Sequence, residues 1–131
     1  MKTILIVEDE RVIAEILSAV LEDEGYRVVI ANNGKQGLDR LAEGRPDLVL
    51  CDIMMPGLDG RDLARAMSAN AKYRTIPLIL MSAAYIPLNK HDFPYTAFLR
   101  KPFDMDHLLD TVATALNGNK PLGSYGPSPG L

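Results

Sequence analysis

Leu48-Val49-Leu50-Cys51-Asp52-Ile53-Met54-Met55-Pro56-Gly57-Leu58-Asp59-Gly60 passes from an unbroken apolar run, through one aspartate, into a loop rich in proline and glycine. An apolar run without polar alternation predicts a strand buried on both faces, as in a parallel sheet covered by helices. Three other runs share the form. Thr3-Ile4-Leu5-Ile6-Val7 leads into Glu8 and Asp9, Leu78-Ile79-Leu80-Met81 into Ser82, and Ala97-Phe98-Leu99-Arg100 into Lys101-Pro102. In an open parallel α/β sheet the carboxyl ends of the strands share one edge, and ligands bind there. Three carboxylates, a hydroxyl and an ammonium are thereby expected to converge on one small site.

Helical patterns fill the intervals. Ile13, Ile16, Leu17, Val20 and Leu21 recur with helical spacing before a stop at Gly25, and Tyr26 to Ala31 follows as a β-rich stretch. Asn32-Asn33-Gly34 marks a turn with capping potential. Leu38, Leu41 and Ala42 mark a second helix closed by Gly44, and Leu63, Ala64, Ala66 and Met67 a third. Asp104 is placed to cap a last helix whose stripe is Met105, Leu108, Leu109, Val112, Ala113 and Leu116, with Gly118 as its end. Five strands separated by helical segments predict a doubly wound α/β domain over residues 1–118. Residues 119–131, rich in Pro, Gly and Ser, are expected to form a flexible tail.

Composition narrows the class. The chain has 131 residues, enough for one core, and its 47% hydrophobic and 24% charged content is that of a globular protein. A net charge of −3 provides no basic footprint for nucleic acid or an anionic membrane. Cys51 stands alone, so no internal disulfide is available, and Glu8-Asp9-Glu10 cuts short the only signal-like run. The reading is a cytoplasmic protein without a membrane span.

The acidic groups carry the chemistry. Two carboxylates about 5 Å apart at an effective dielectric of about 20 repel by about 3 kcal/mol, which favours a raised pKa or a bound cation. Oxygen ligation by few carboxylates suits Mg²⁺, and an aspartate is a workable phosphoryl acceptor. Taken singly, each residue has a plainer explanation. Glu8 and Asp9 suit the start of a helix, Asp52 a turn, Ser82 an N-cap and Lys101-Pro102 a surface turn. Those explanations do not account for four strands ending on complementary groups.

Ile4-Leu5-Ile6-Val7-Glu8-Asp9-Glu10, Leu50 to Gly60, Leu80-Met81-Ser82-Ala83 and Leu99-Arg100-Lys101-Pro102-Phe103 together resemble the receiver domain of two-component response regulators, in its stand-alone chemotaxis-regulator form. The resemblance covers residues 2–117. It implies a flavodoxin-like sheet of order 2-1-3-4-5 and a phosphoacceptor role for Asp52, supplied by a histidine kinase or histidine phosphotransfer protein. It also implies Mg²⁺ held by Asp9, Asp52 and the Met54 backbone carbonyl, with Glu8 acting through water. Ser82 becomes the switch hydroxyl, Lys101 the phosphoryl partner and Lys101–Pro102 a cis peptide. Phe98 takes the position of the switch aromatic, where relatives often carry tyrosine. The implied protein is a regulatory phosphoacceptor rather than an enzyme, acting on a downstream protein by contact.

The resemblance falters between Ser82 and Lys101. Pro87 and Pro94 interrupt the stretch where receivers carry a fourth helix, so an irregular or shortened segment is expected. Its aromatics Tyr85, Phe93 and Tyr95 either pin a loop to the core or form a remodelled output surface. Two other readings remain open. A haloacid-dehalogenase-type hydrolase would need a second acid two residues after Asp52, where Met54 stands. A docking-only receiver would dispense with phosphorylation, which the presence of Asp9, Asp52, Ser82 and Lys101 argues against.

Overall fold

Leu48 to Asp52 is buried at every residue and forms the central strand of the sheet. The computed structural model describes residues 1–86 and 92–118. In chain order these form β1 (Thr3–Val7), α1 (Arg11–Asp23), β2 (Arg27–Ala31), α2 (Gly34–Glu43), β3 (Leu48–Asp52), α3 (Gly60–Ala69), β4 (Leu78–Ser82), β5 (Ala97–Arg100) and α4 (Met105–Leu116). The sheet has the order β2-β1-β3-β4-β5 with every pair parallel, the doubly wound, flavodoxin-like arrangement. Among the described residues no helix is long and apolar enough to cross a membrane.

Strand side chains alternate between two cores, which explains why the sequence shows no polar alternation. Leu5, Val7, Val49, Cys51, Leu80 and Phe98 face one side, where Leu41 of α2 and Leu63, Ala64 and Met67 of α3 cover them. Ile4, Ile6, Leu48, Leu50, Ile79 and Leu99 face the other, beneath Leu17 and Leu21 of α1 and Leu108 and Val112 of α4. Register then aligns the strand ends. Val7 pairs with Cys51, Asp52 with Met81 and Ser82 with Arg100, so residues 8, 52, 82 and 101 emerge along one edge.

Local signals act where expected at several helix ends. Asn33 accepts from the Gln36 N–H at 2.8 Å, and Asp104 accepts from the His107 N–H at 2.7 Å. Other details differ. Tyr26 precedes β2 rather than opening it. Ile16 is 50% exposed and Met105 38%, while Ala14 lies in the core beside Leu17 and Leu21. On α4, Thr111 and Ala115 are buried instead of Met105 and Ala113. Thr111 tolerates burial because its hydroxyl donates to the His107 carbonyl at 2.7 Å.

The connection from β4 to β5 departs most from a regular crossover. Residues 83–86 and 92–96 contain no helix, and the stretch from Pro87 to His91, where one helical turn has room, lies outside the described residues, as does the expected tail. Phe93 is 4% exposed and Tyr95 packs on the same core, whereas Tyr85 is 78% exposed. Two of the three aromatics therefore pin the connection and one does not.

The start of α3 is fitted tightly to the end of β3. Asp59 caps the helix, accepting from the Arg61 N–H at 2.8 Å and the Asp62 N–H at 3.2 Å, while Asp62 accepts from the Asp59 N–H at 3.0 Å. A Cβ at Gly60 would stand 2.8 Å from both the Asp52 carbonyl oxygen and the Ile53 Cα. Gly60→Ala is expected to push α3 off the strand end and to destabilise the protein by about 1–3 kcal/mol in urea denaturation. A wild-type midpoint would show that this contact yields without cost.

Candidate functional site

Glu8 follows β1 directly and has no exposed surface, although it is a carboxylate. Burial of that kind requires partners. One oxygen accepts from the Glu10 N–H at 3.1 Å, and the other accepts from Lys101 Nζ at 3.0 Å. The same ammonium stands 3.3 Å from Asp52 Oδ1. Lys101 thus joins the ends of β1, β3 and β5. The Lys101–Pro102 peptide is cis.

Glu8, Asp9 and Asp52 each present a carboxylate oxygen within 4.8 Å of the others. Three carboxylates against one ammonium leave a formal charge of −2, which matches a divalent cation. The donors are all hard oxygens, and two of the three are buried, so the set fits Mg²⁺. Asp9 lies exposed at the rim and does not cap α1, whose N-cap is Glu10 without a side-chain bond.

The crowding is visible in protonation. Burial, followed by the charge of Glu8 and more weakly that of Asp9, pushes the Asp52 carboxyl up to about 6, with Lys101 opposing. Burial would lower the Lys101 ammonium, yet its bond to Glu8 and the charges of Asp52 and Glu8 outweigh that and raise it. The Cys51 thiol is pushed up by burial and then by the neighbouring carboxylates, and it contacts the Asp52 carbonyl oxygen at 3.2 Å. Such a thiol is core filling, not a redox centre.

Ser82 ends β4 fully buried. Its hydroxyl donates to the Ala84 carbonyl at 3.3 Å and accepts from the Ala84 N–H at 3.1 Å, closing a local turn; the described residues 83–86 after it contain no helix for it to cap. Phe98 on β5 is 8% exposed, in one cluster with Phe93 and Met55. Met54 lies in the loop after β3 with 53% of its surface exposed. The site thus gathers Glu8, Asp9, Asp52 and Lys101, with Ser82 on the adjoining strand end and Phe98 on the face below.

Two features escaped the sequence reading. One is an apolar groove of about 430 Å³ bordering Lys101, lined by Ile13, Ile16, Ala83, Pro102, Phe103 and Met105. Helical periodicity assigned Ile16 and Met105 to the core, yet they are 50% and 38% exposed. The other is Arg65, which reaches from α3 to the β4–β5 connection and has no sequence signal.

Comparison with known proteins agrees with this geometry. The family model of the response regulator receiver domain matches residues 4–113. The chain is 42% identical over 119 residues to the uncharacterised transcriptional regulatory protein YkoG of Bacillus subtilis, covering 88% of this chain and 51% of that protein. It is 40% identical over 110 residues to the transcriptional regulatory protein DltR of Streptococcus agalactiae, covering 83% and 49% respectively. The chain therefore spans about half the length of these curated relatives. Among solved structures, the receiver domain of a signal transduction histidine kinase from Syntrophus aciditrophicus superposes with a TM-score of 0.81 at 34% identity, over 90% of this chain and 92% of that one. The Vibrio cholerae chemotaxis protein CheY4 gives 0.80 at 28% identity, over 86% and 97%.

Lys101→Met tests the electrostatics directly. It leaves the buried Glu8 and Asp52 without their shared cation, for an expected loss of roughly 2–4 kcal/mol at pH 8 without divalent ions. The raised Asp52 carboxyl then loses the cation that opposes its shift, so the folded state holds that proton to higher pH and the deficit shrinks as pH falls to 5. An equal deficit at both pH values in thermal melts would assign the loss to packing instead.

Proposed function

The chain belongs to the response regulator receiver family, and from that premise we propose that it is a phosphoacceptor switch of a two-component phosphorelay in the cytoplasm. A histidine kinase or histidine phosphotransfer protein is the donor, and Asp52 the acceptor. The observation that carries this reading is the Asp52 carboxylate, set between Lys101 at 3.3 Å and a group of carboxylates within 4.8 Å.

In the transfer an Asp52 oxygen attacks the phosphorus of the partner's phosphohistidine. The P–N bond breaks, its electron pair returns to the imidazole, and an aspartyl phosphate forms. Glu8, Asp9 and Asp52 hold Mg²⁺ in this reading, with the Met54 carbonyl as a further ligand and Glu8 acting through water. When bound, the ion neutralises phosphoryl oxygens that the carboxylates would otherwise repel. Lys101 exchanges part of its pairing with Glu8 and Asp52 for a phosphoryl oxygen, and the Ser82 hydroxyl donates to another. Phe98 then answers the movement of Ser82 as the switch aromatic.

The groove beside Lys101 supports the partner assignment. Ile16 and Met105 present apolar surface next to the acceptor, and a helix carrying the donor histidine would bury it. A net charge of −3 favours protein over nucleic-acid partners for this domain, and no membrane contact is assigned. Residues 1–118 constitute the receiver in this reading, and residues 119–131 lie outside the described residues. Met54 stands where a hydrolase would need its general acid, so the protein is a regulatory acceptor rather than a turnover enzyme.

Labelling with acetyl phosphate or a phosphorylated kinase is expected to require Mg²⁺ and to vanish in Asp52→Asn. Incorporation that survives chelation or that substitution would overturn the assignment. Ser82→Ala is expected to retain Mg²⁺ affinity within about twofold, since its hydroxyl lies outside the carboxylate set, while the signalling response is lost. A large loss of metal affinity in titration would place that hydroxyl among the ligands. Lys101→Ala is expected to accept phosphate poorly and to fail in signalling even where Asp52 is labelled.

A further inference from the structure

The β4–β5 connection is held at both ends, by different chemistry. At its start the Ser82 hydroxyl grips Ala84 through two hydrogen bonds, 3.1 and 3.3 Å long. Ile86, two residues on, packs against the apolar cluster that contains Phe93 and Phe98. At its end Arg65 of α3 donates from Nε to the Asp92 carbonyl at 3.2 Å. The guanidinium of Arg65 stands 5.7 Å from the centre of the Phe93 ring, and its Nη1 pairs with Asp62 at 3.2 Å. Phe93 is 4% exposed and stacks on Tyr95 with centroids 6.2 Å apart. Both ends of the connection therefore bear on one cluster, and Arg65 adds a hydrogen bond from α3 to its end.

We propose that Arg65 is the latch of the switch: capture of the phosphoryl group by Ser82 displaces Ala84 and Ile86, shifts the Phe93–Phe98 cluster and frees Asp92 and Phe93 from Arg65, so that the signal is read on the face of α3 and residues 92–96. The inference rests on Asp52 being the phosphoacceptor.

Physical reasons connect the steps. A serine hydroxyl has one hydrogen and donates either to the Ala84 carbonyl or to a phosphoryl oxygen. A charge-assisted bond to the phosphoryl group is stronger than the neutral bond at 3.3 Å, so the exchange favours the phosphorylated arrangement. Packed cores respond to such a displacement by changing to another arrangement rather than by gradual deformation. Arg65 has a side chain 51% exposed, and a cation over a ring in that setting is weakly held, so the latch is strong enough to bias the equilibrium and weak enough to release. In its released state Arg65 keeps Asp62, its neighbour on the same helix, as partner.

Linkage supplies the test. The latch stabilises only the unphosphorylated arrangement, so removing it must tighten binding of a phosphoryl mimic. With beryllofluoride and Mg²⁺ as the probe, Arg65→Ala is expected to bind about two- to fivefold more tightly than the wild type. Without the probe, hydrogen exchange at residues 92–96 of this variant is expected to match the wild type with it. Ser82→Ala should take up beryllofluoride, seen by fluorine NMR, yet leave exchange at residues 92–96 unchanged. Arg65→Lys keeps the charge and loses the Nε bond, is expected to fall between the two, and carries the test if the alanine variant folds poorly. Unchanged or weaker beryllofluoride binding in both Arg65 variants overturns the latch, as does full protection of residues 92–96 in wild type with the probe bound. Failure of the wild type to bind the probe strikes the phosphoacceptor reading itself, and the two failures are thereby distinguished.

Discussion

Lys101 lies between Glu8 and Asp52, and the arrangement of the molecule follows from the need to hold that ammonium among buried carboxylates. A carboxylate without exposed surface, as Glu8 is, exists in a fold only when its charge is answered nearby. The answer here comes from a residue 93 positions away in sequence, on the far side of β3 and β4. Every strand register between them must be kept, because a slip by one residue would turn a charged group into one of the two cores.

The surplus of negative charge is as informative as the pairing. One ammonium does not balance three carboxylates, and burial, followed by the charge of Glu8, raises the Asp52 carboxyl to about 6. A purely structural site would be expected to balance its charges. An excess of this kind at the carboxyl edge of a parallel sheet, with Gly60 holding α3 close against the Asp52 backbone, makes a set of groups that could bind a metal ion.

How much of this was legible in the sequence depended on the range of the interaction. Strands 3–7, 48–52, 78–82 and 97–100 could be read because burial on both faces imposes continuous apolar runs. Asn33 and Asp104 could be read as caps because capping is a contact three residues long. The convergence of Glu8, Asp9, Asp52 and Lys101 followed from topology, since strand ends of a parallel sheet lie together. What could not be read were choices between nearly equivalent faces. Ile16 and Ala14 are both apolar and on the same helix, and only Ala14 is buried. The same holds for Met105 against Thr111, where a hydroxyl bond to His107 makes a polar residue the better core member. Ser82's bond to Ala84 and Arg65's reach to Asp92 depend on the path of an irregular connection, for which sequence has no periodicity.

That connection shows which parts of the fold are separable. A parallel β4–β5 pair needs a crossover that covers one face of the sheet, a task usually given to a helix. Pro87 and Pro94 make a regular helix costly here, and Phe93 with Tyr95 covers the face instead, burying aromatic rings where a helix would have buried an aliphatic stripe. The substitution leaves the β3, β4 and β5 ends in register, so the acidic site is untouched. It does change what lies next to the site, because residues 83–86 and 92–96 contain no helix and are held at two anchors. The anchors are Ser82 at one end and Phe93 at the other, and Phe98 shares the cluster of the second. The geometry of the acidic site can therefore be kept while the connection beside it takes another form.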